Sequence, residues 1–130
     1  MTDDGTVWAL AGAMLVAALA IAAVWVTWLR AEHDEPWLPA GYVEHERAFV
    51  VPDSVLAVLL VAAAVLLVAE APLGRSLALL SAGMLTFLGL LDAAYFARTG
   101  LFRRDRGGVG NVAVVAGVLV LAGLIVARLA

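Results

Sequence analysis

The sequence of 130 residues contains neither cysteine nor lysine. Without cysteine the chain can form no disulfide, no thiolate metal site and no cysteine nucleophile, and it gives no indication of the redox compartment. Charged residues are scarce, at 15% of the sequence, and all eight basic residues are arginine. These arginines flank apolar runs instead of forming a basic face with interleaved aromatic residues, which argues against nucleic acid as a partner.

Two sequence signals are also missing. The N-terminus begins Met1-Thr2-Asp3-Asp4 without a basic segment, so we expect no cleavable signal peptide and a first helix that stays in the mature protein. The glycines of residues 107–110 come with no strand, lysine or hydroxyl residue of a phosphate-binding loop, and they are therefore interpreted as a linker.

Apolar residues dominate the chain, at 65% of the sequence with a mean hydropathy of +1.03. They fall into four blocks, at about residues 7–29, 48–69, 76–98 and 109–128. Each block is long enough to cross the ~30 Å hydrocarbon layer of a bilayer as a helix. The prediction is an all-α fold: a single transmembrane domain over residues 1–130, built as a four-helix bundle in the bilayer.

The connections between the predicted spans are short, except for a longer polar loop between the first and second. Within that loop Tyr42, Glu46 and Phe49 are spaced as in a short interfacial helix. Four slender helices have little interior of their own, so we expect a homo-oligomer or a partner membrane protein. Trp8, Trp25 and Trp28 lie at the two ends of the first span, as in an aromatic belt.

The arginines predict the orientation. Most of them flank the first and third connections, whereas Arg75 and Arg128 flank the opposite side. By the positive-inside rule the first side is cytoplasmic, which places both termini outside the cell membrane.

Two aspartates interrupt the apolar spans. Asp53 follows Arg47 by six residues into the second span, and Asp92 precedes Arg98 by six residues out of the third. Since these spans run in opposite directions, both carboxylates are predicted at one depth, roughly 9 Å inside a cytoplasmic arginine. Two interpretations of Asp53 remain: it lies in the first helical turn after Pro52, where the helix dipole favours it, or the helix starts earlier and Asp53 is inside the membrane.

Polar residues near that depth complete a candidate pocket. Asp92 and Tyr95 share one face of the third span, and Ser54 and Asn111 are placed near the same level by the second and fourth spans. Two close carboxylates in a medium of low dielectric constant cannot both stay ionised, so the pocket would hold a proton or a cation. The structural alternative is that Asp92 hydrogen-bonds Tyr95, Asn111 or the backbone and fixes the helix packing.

The polar loop carries the remaining candidates, His33, Glu44, His45 and Glu46. Imidazoles and carboxylates are ligands for divalent metals and can act as acid and base. Their spacing matches no compact metal motif such as H-E-x-x-H, so a solvated acidic loop is favoured and neither a metal nor a cofactor is predicted. Catalytic residues stay unknown.

In topology the chain resembles the small membrane enzymes acting on eicosanoids and glutathione, and the four-span sterol isomerases. In the glutathione-using family an arginine, an asparagine and a glutamate enter the second helix, and only Arg47 has a counterpart here. In size the chain is similar to small multidrug exporters, but its first span has no acid in the place of their buried glutamate. No functional residue is carried over from these families.

Three functions are therefore weighed. The first is binding or transport of a proton, cation or amphiphile at an acidic cytoplasmic-side pocket. The second is a membrane-embedded enzyme for a lipophilic substrate, with the loop histidines and glutamates above the pocket. The third is an accessory subunit in which Asp92 points outward to a partner chain.

Overall fold

A computed structural model gives the fold and describes residues 4–130 of the chain, without the side chain of Asp4. Five α-helices and one 3₁₀ turn account for most of this part of the chain. They are α1 (Asp4–Arg30), α2 (Tyr42–Arg47), α3 (Val50–Val68), α4 (Pro72–Thr99), the 3₁₀ turn (Arg104–Arg106) and α5 (Gly108–Leu129).

The all-helical class is confirmed, and α1, α3, α4 and α5 correspond to the four predicted spans. The largest difference in bounds is at α4, which begins four residues before the predicted position 76. Pro72 occupies its first turn, where a fixed φ and a missing N–H suit a helix start. The short helix expected in the polar loop is present as α2.

Four helical segments are long and apolar enough to cross a membrane. Large apolar side chains are exposed on each of them, for example Leu19, Val58, Phe87 and Val120. An apolar surface on this scale is unusual for a soluble monomer and is what a helix facing lipid requires. The architecture is therefore compatible with a multi-pass membrane protein.

The helices pack in chain order, with α1 against α3, α3 against α4, and α4 against α5. Their shared core is apolar and closed, and Met14, Leu60, Leu85 and Ile125 at its centre are fully buried. Helices α1 and α5 touch only weakly. The bundle is therefore open along one side, between its first and last helices.

Small residues allow the closest helix approaches. A Cβ atom on Gly74 would lie 2.6 Å from the backbone nitrogen of Leu67, so α3 and α4 meet there backbone to backbone. Gly89 similarly admits the side chains of Val118 and Leu119 from α5. These contacts hold α4 between its two neighbours.

One end of the bundle holds both longer connections, and we call it the arginine-rich end. It is defined by Arg30, Arg47, Arg98, Arg103, Arg104 and Arg106. Here the Asn111 side chain donates a hydrogen bond to the carbonyl of Leu101 (2.7 Å), which fixes the α4–α5 connection onto the start of α5. The opposite end is closed by Arg75, whose Nε donates to the Leu129 carbonyl (2.6 Å).

Candidate functional site

The open side between α1 and α5 forms a cleft of about 610 Å³, which we call the lateral groove. Its floor comes from α3 and α4, and its walls come from α1 and α5. Nearly all of the wall and floor side chains are apolar. They include Val16, Ile21, Val24, Leu56, Leu85, Leu88, Val114, Val118, Leu121 and Leu124.

Small side chains on the two facing helices provide the space. Ala13, Ala17 and Ala20 line the groove from α1, and Ala113 and Gly117 line it from α5. A Cβ atom built on Gly117 meets nothing within 4 Å, so the cleft is open at that position. Small residues at such spacing are typical of close helix packing in membranes, but here they face the open cleft.

Two charged side chains line the groove, Asp53 from α3 and Asp92 from α4. Asp53 lies in the first turn of α3, so the first-turn interpretation is confirmed. The residue is nevertheless half-buried and turned toward the groove, where its Oδ2 accepts a hydrogen bond from Trp25 Nε1 (2.8 Å). Trp25 is itself 9% exposed, so its indole packs inside the bundle and contacts Asp53.

Asp92 is half-buried and makes no hydrogen bond or ion pair with any described residue. If Asp92 only fixed the helix packing, it would form a hydrogen bond with a group such as Tyr95 or Asn111. The hydroxyl of Tyr95 is buried without a hydrogen-bond partner, and the Asn111 amide donates to Leu101 instead. Asp92 is thus a free carboxylate facing the groove.

A third carboxylate lies nearby on α2. Glu46 is only 9% exposed, and its Oε1 has no hydrogen-bond partner. It is close enough to interact electrostatically with both Asp53 and Asp92. We call Glu46, Asp53 and Asp92 the acidic cluster; it brings together residues from three helices.

The ring of His45 stacks on Tyr95, with centroids 3.6 Å apart and planes inclined by 10°. This contact joins α2 to α4 beside the acidic cluster. The Nε2 atom of His45, like the hydroxyl of Tyr95, is buried without a hydrogen-bond partner. Both side chains are therefore neighbours of the cluster, although neither lines the groove.

The other predicted site residues lie elsewhere. Ser54 is exposed and its hydroxyl donates to the Val50 carbonyl (2.6 Å). Glu44 is exposed, and the ring of His33 stacks on Trp28 at 4.2 Å. Since Asn111 is also engaged in the α4–α5 connection, these four residues form no part of the groove.

No cation neutralises the acidic cluster within residues 4–130. The one ion pair in this part of the chain joins Arg103 to Asp105 at 3.0 Å, in solvent, and Arg47 and Arg98 are exposed. The same residues also contain no group of three side chains arranged to hold a metal ion. The cluster is thus a patch of negative potential at one end of an apolar cleft.

Comparison of the chain with protein-family models, with curated proteins and with solved structures finds no match.

The sequence identifies Glu46 as a candidate, but in a solvated loop; the structure instead buries it on α2 beside Asp53 and Asp92. Its spacing with Tyr42 and Phe49 had indicated the short helix. Trp25 is the residue of this site that sequence reasoning missed. No local pattern identifies Trp25 as the partner of Asp53, because the two residues are 28 positions apart.

Proposed function

We propose that this protein binds an amphiphilic organic cation in the lateral groove. The apolar tail lies between α1 and α5, and the positively charged head lies against Asp53 and Asp92. We further propose that the chain resides in the cell membrane with its arginine-rich end in the cytoplasm and its termini outside, as the distribution of arginines indicates.

The observation that carries this proposal is an apolar cleft with carboxylates at one end that form no ion pair with any described arginine. A buried negative charge is costly unless it is paired. An organic ammonium supplies the missing charge, while its tail suits the apolar walls. The volume of about 610 Å³ falls within the ~300–1,000 Å³ range of small-molecule sites.

The position of the groove favours a ligand that is dissolved in the bilayer. The cleft opens sideways between two helices, so an amphiphile enters from the lipid without first crossing the protein. A neutral lipid would leave the carboxylates unpaired, and an anionic lipid would be repelled.

The closed core argues for binding over conduction through a single chain. Met14, Leu60, Leu85 and Ile125 are fully buried among apolar neighbours, and they leave no polar path toward the opposite end. An enzyme is less well supported because the polar atoms of His45 and Tyr95 reach no group in the groove.

The free carboxylate of Asp92 also favours a second candidate, an accessory subunit. In that case the groove receives a helix of a partner protein with an arginine or lysine at the depth of Asp92. Purification in a mild detergent separates the two candidates. A partner helix would copurify in a fixed ratio, whereas an organic cation binds to the isolated chain.

The first test uses equilibrium dialysis of dodecyltrimethylammonium against protein in nanodiscs, with empty nanodiscs as the correction for partitioning. Gly117→Leu places a side chain inside the groove, and Gly123→Leu places the same side chain on an exposed part of α5 outside it. We expect Gly117→Leu to abolish saturable binding and Gly123→Leu to preserve it. Equal binding of dodecyltrimethylammonium by both variants would contradict the proposal. So would binding of dodecanol, which has the same tail but no charge, by the wild-type chain as tightly as dodecyltrimethylammonium.

A further inference from the structure

We propose that entry of the cation expels one proton from the acidic cluster, so that the groove is a site of cation-for-proton exchange. The proton is held by Glu46, which does not line the groove. This inference rests on the proposed function and adds a coupled ion to it.

The acidic cluster is limited in the negative charge that it can carry. Glu46, Asp53 and Asp92 interact electrostatically and are each at least half-buried beside an apolar cleft. Three such carboxylates cannot all be ionised without a compensating positive charge. In the free protein that charge is a proton.

Among residues 4–130 no side chain supplies a compensating positive charge to the cluster. The groups that interact with Glu46 and the two aspartates are the Trp25 indole from α1, Tyr42 from α2 and Tyr95 from α4. The His45 ring stacks on Tyr95 and forms no ion pair with a carboxylate. No arginine of the described chain forms an ion pair with the cluster.

The contacts indicate which carboxylate holds the proton. Asp53 accepts the indole hydrogen bond from Trp25, which stabilises its ionised form. Asp92 lacks a hydrogen-bond partner among the described residues, but it is more exposed than Glu46 and faces the open groove. Glu46 is the most buried of the three, and its Oε1 receives no hydrogen bond. The neutral acid is therefore most favourable at Glu46.

The exchange balances in charge and atoms. One organic cation enters the groove, the O–H bond of the Glu46 carboxyl group breaks, and the proton passes to water at the arginine-rich end. The net charge of the cluster is unchanged, and no bond of the ligand is altered. Since binding releases a proton, raising the pH favours binding.

Titration calorimetry tests this exchange with dodecyltrimethylammonium, which has no ionisable proton of its own. Binding enthalpies measured in buffers of different ionisation enthalpy give the number of protons released. We expect about one proton for each ligand, and a Kd that falls about tenfold per unit rise in pH while the cluster still holds its proton. Glu46→Gln is expected to abolish both effects, and Glu44→Gln, an exposed control on α2, to leave them unchanged.

Infrared difference spectroscopy of the wild-type chain gives a second readout that needs no variant. Binding should remove the C=O band of a protonated carboxylic acid. If the wild-type chain fails to bind the probe, the proposed function is wrong. If the probe binds without proton release, or if Glu46→Gln releases the same number of protons, the function stands and the exchange inference is overturned.

Discussion

Replacing Asp92 with asparagine is expected to weaken the binding of dodecyltrimethylammonium about 30-fold. An ammonium about 5 Å from a carboxylate gains roughly 3 kcal/mol at an effective dielectric constant near 20. Desolvation of the head offsets part of this gain, and Asp53 continues to attract the ligand, which leaves a net loss of about 2 kcal/mol. Since ~1.4 kcal/mol corresponds to a tenfold change in Kd, the expected factor follows.

The variant should otherwise leave the protein intact. Asp92 has no partner among the described residues, so asparagine breaks no internal contact. Because the variant also removes an unpaired, half-buried charge, we expect the free energy of unfolding to stay the same or to rise by up to about 1 kcal/mol. The matched control is Asp105→Asn, which removes a solvent-exposed carboxylate at the same end of the bundle.

Kd is measured by equilibrium dialysis in nanodiscs at low and high salt, and stability by thermal unfolding in detergent. A cluster that is half-buried should keep most of the effect at high salt, because screening acts mainly between exposed charges. Unchanged Kd together with a marked loss of stability would refute the reasoning, since Asp92 would then be a packing residue.

Three further predictions concern the scaffold of the site. Gly74→Ala should destabilise the chain by about 1–3 kcal/mol, because its Cβ would collide with the backbone of α3; Gly83→Ala, with nothing within 4 Å, should stabilise α4 by up to about 1 kcal/mol. Trp25→Phe should cost about 1–3 kcal/mol by leaving Asp53 without its donor. Asn111→Ala should cost about 1 kcal/mol and loosen the α4–α5 connection.

Unfolding in detergent checks all three, and hydrogen exchange of α5 amides locates the effect of the Asn111 variant. Equal stability of Gly74→Ala and Gly83→Ala would contradict the close α3–α4 packing. A wild-type unfolding curve for Trp25→Phe would contradict the hydrogen bond to Asp53.

The long helices could be predicted from composition alone, because a run of about twenty apolar residues has few other ways to satisfy its backbone in lipid. The inward face of α4 could also be predicted from the sequence, because Ser81, Leu85, Gly89 and Asp92 recur with helical spacing. All four are buried or half-buried in the bundle. Periodicity thus gives the orientation of a helix when its polar residues are few and aligned.

The lateral groove could not be predicted in this way, because it depends on two helices that do not meet. The spacing of Ala13 and Ala17 is the same whether a neighbouring helix or an open cleft faces them. The sequence also does not show whether a short polar side chain bonds to nearby backbone or reaches a pocket. Ser54 satisfies its hydroxyl on its own helix, and Asn111 bonds to the nearby connection, so neither is available to a distant pocket.

Counting residues from Arg47 and Arg98 gives the depth of each aspartate, but it does not give the direction in which the side chain points. Rotating α4 by half a turn would keep Asp92 at the same depth and place it among lipid tails, where an unpaired carboxylate is unfavourable. Gly89 admits Val118 and Leu119 of α5 closely on one side of α4 and also lines the groove, and we expect this contact to favour the observed rotation. A bulkier residue at this position is therefore expected to turn Asp92 away from the groove. Gly89→Val should weaken cation binding as strongly as Asp92→Asn while also lowering stability, and retention of tight binding would show that another contact sets the rotation.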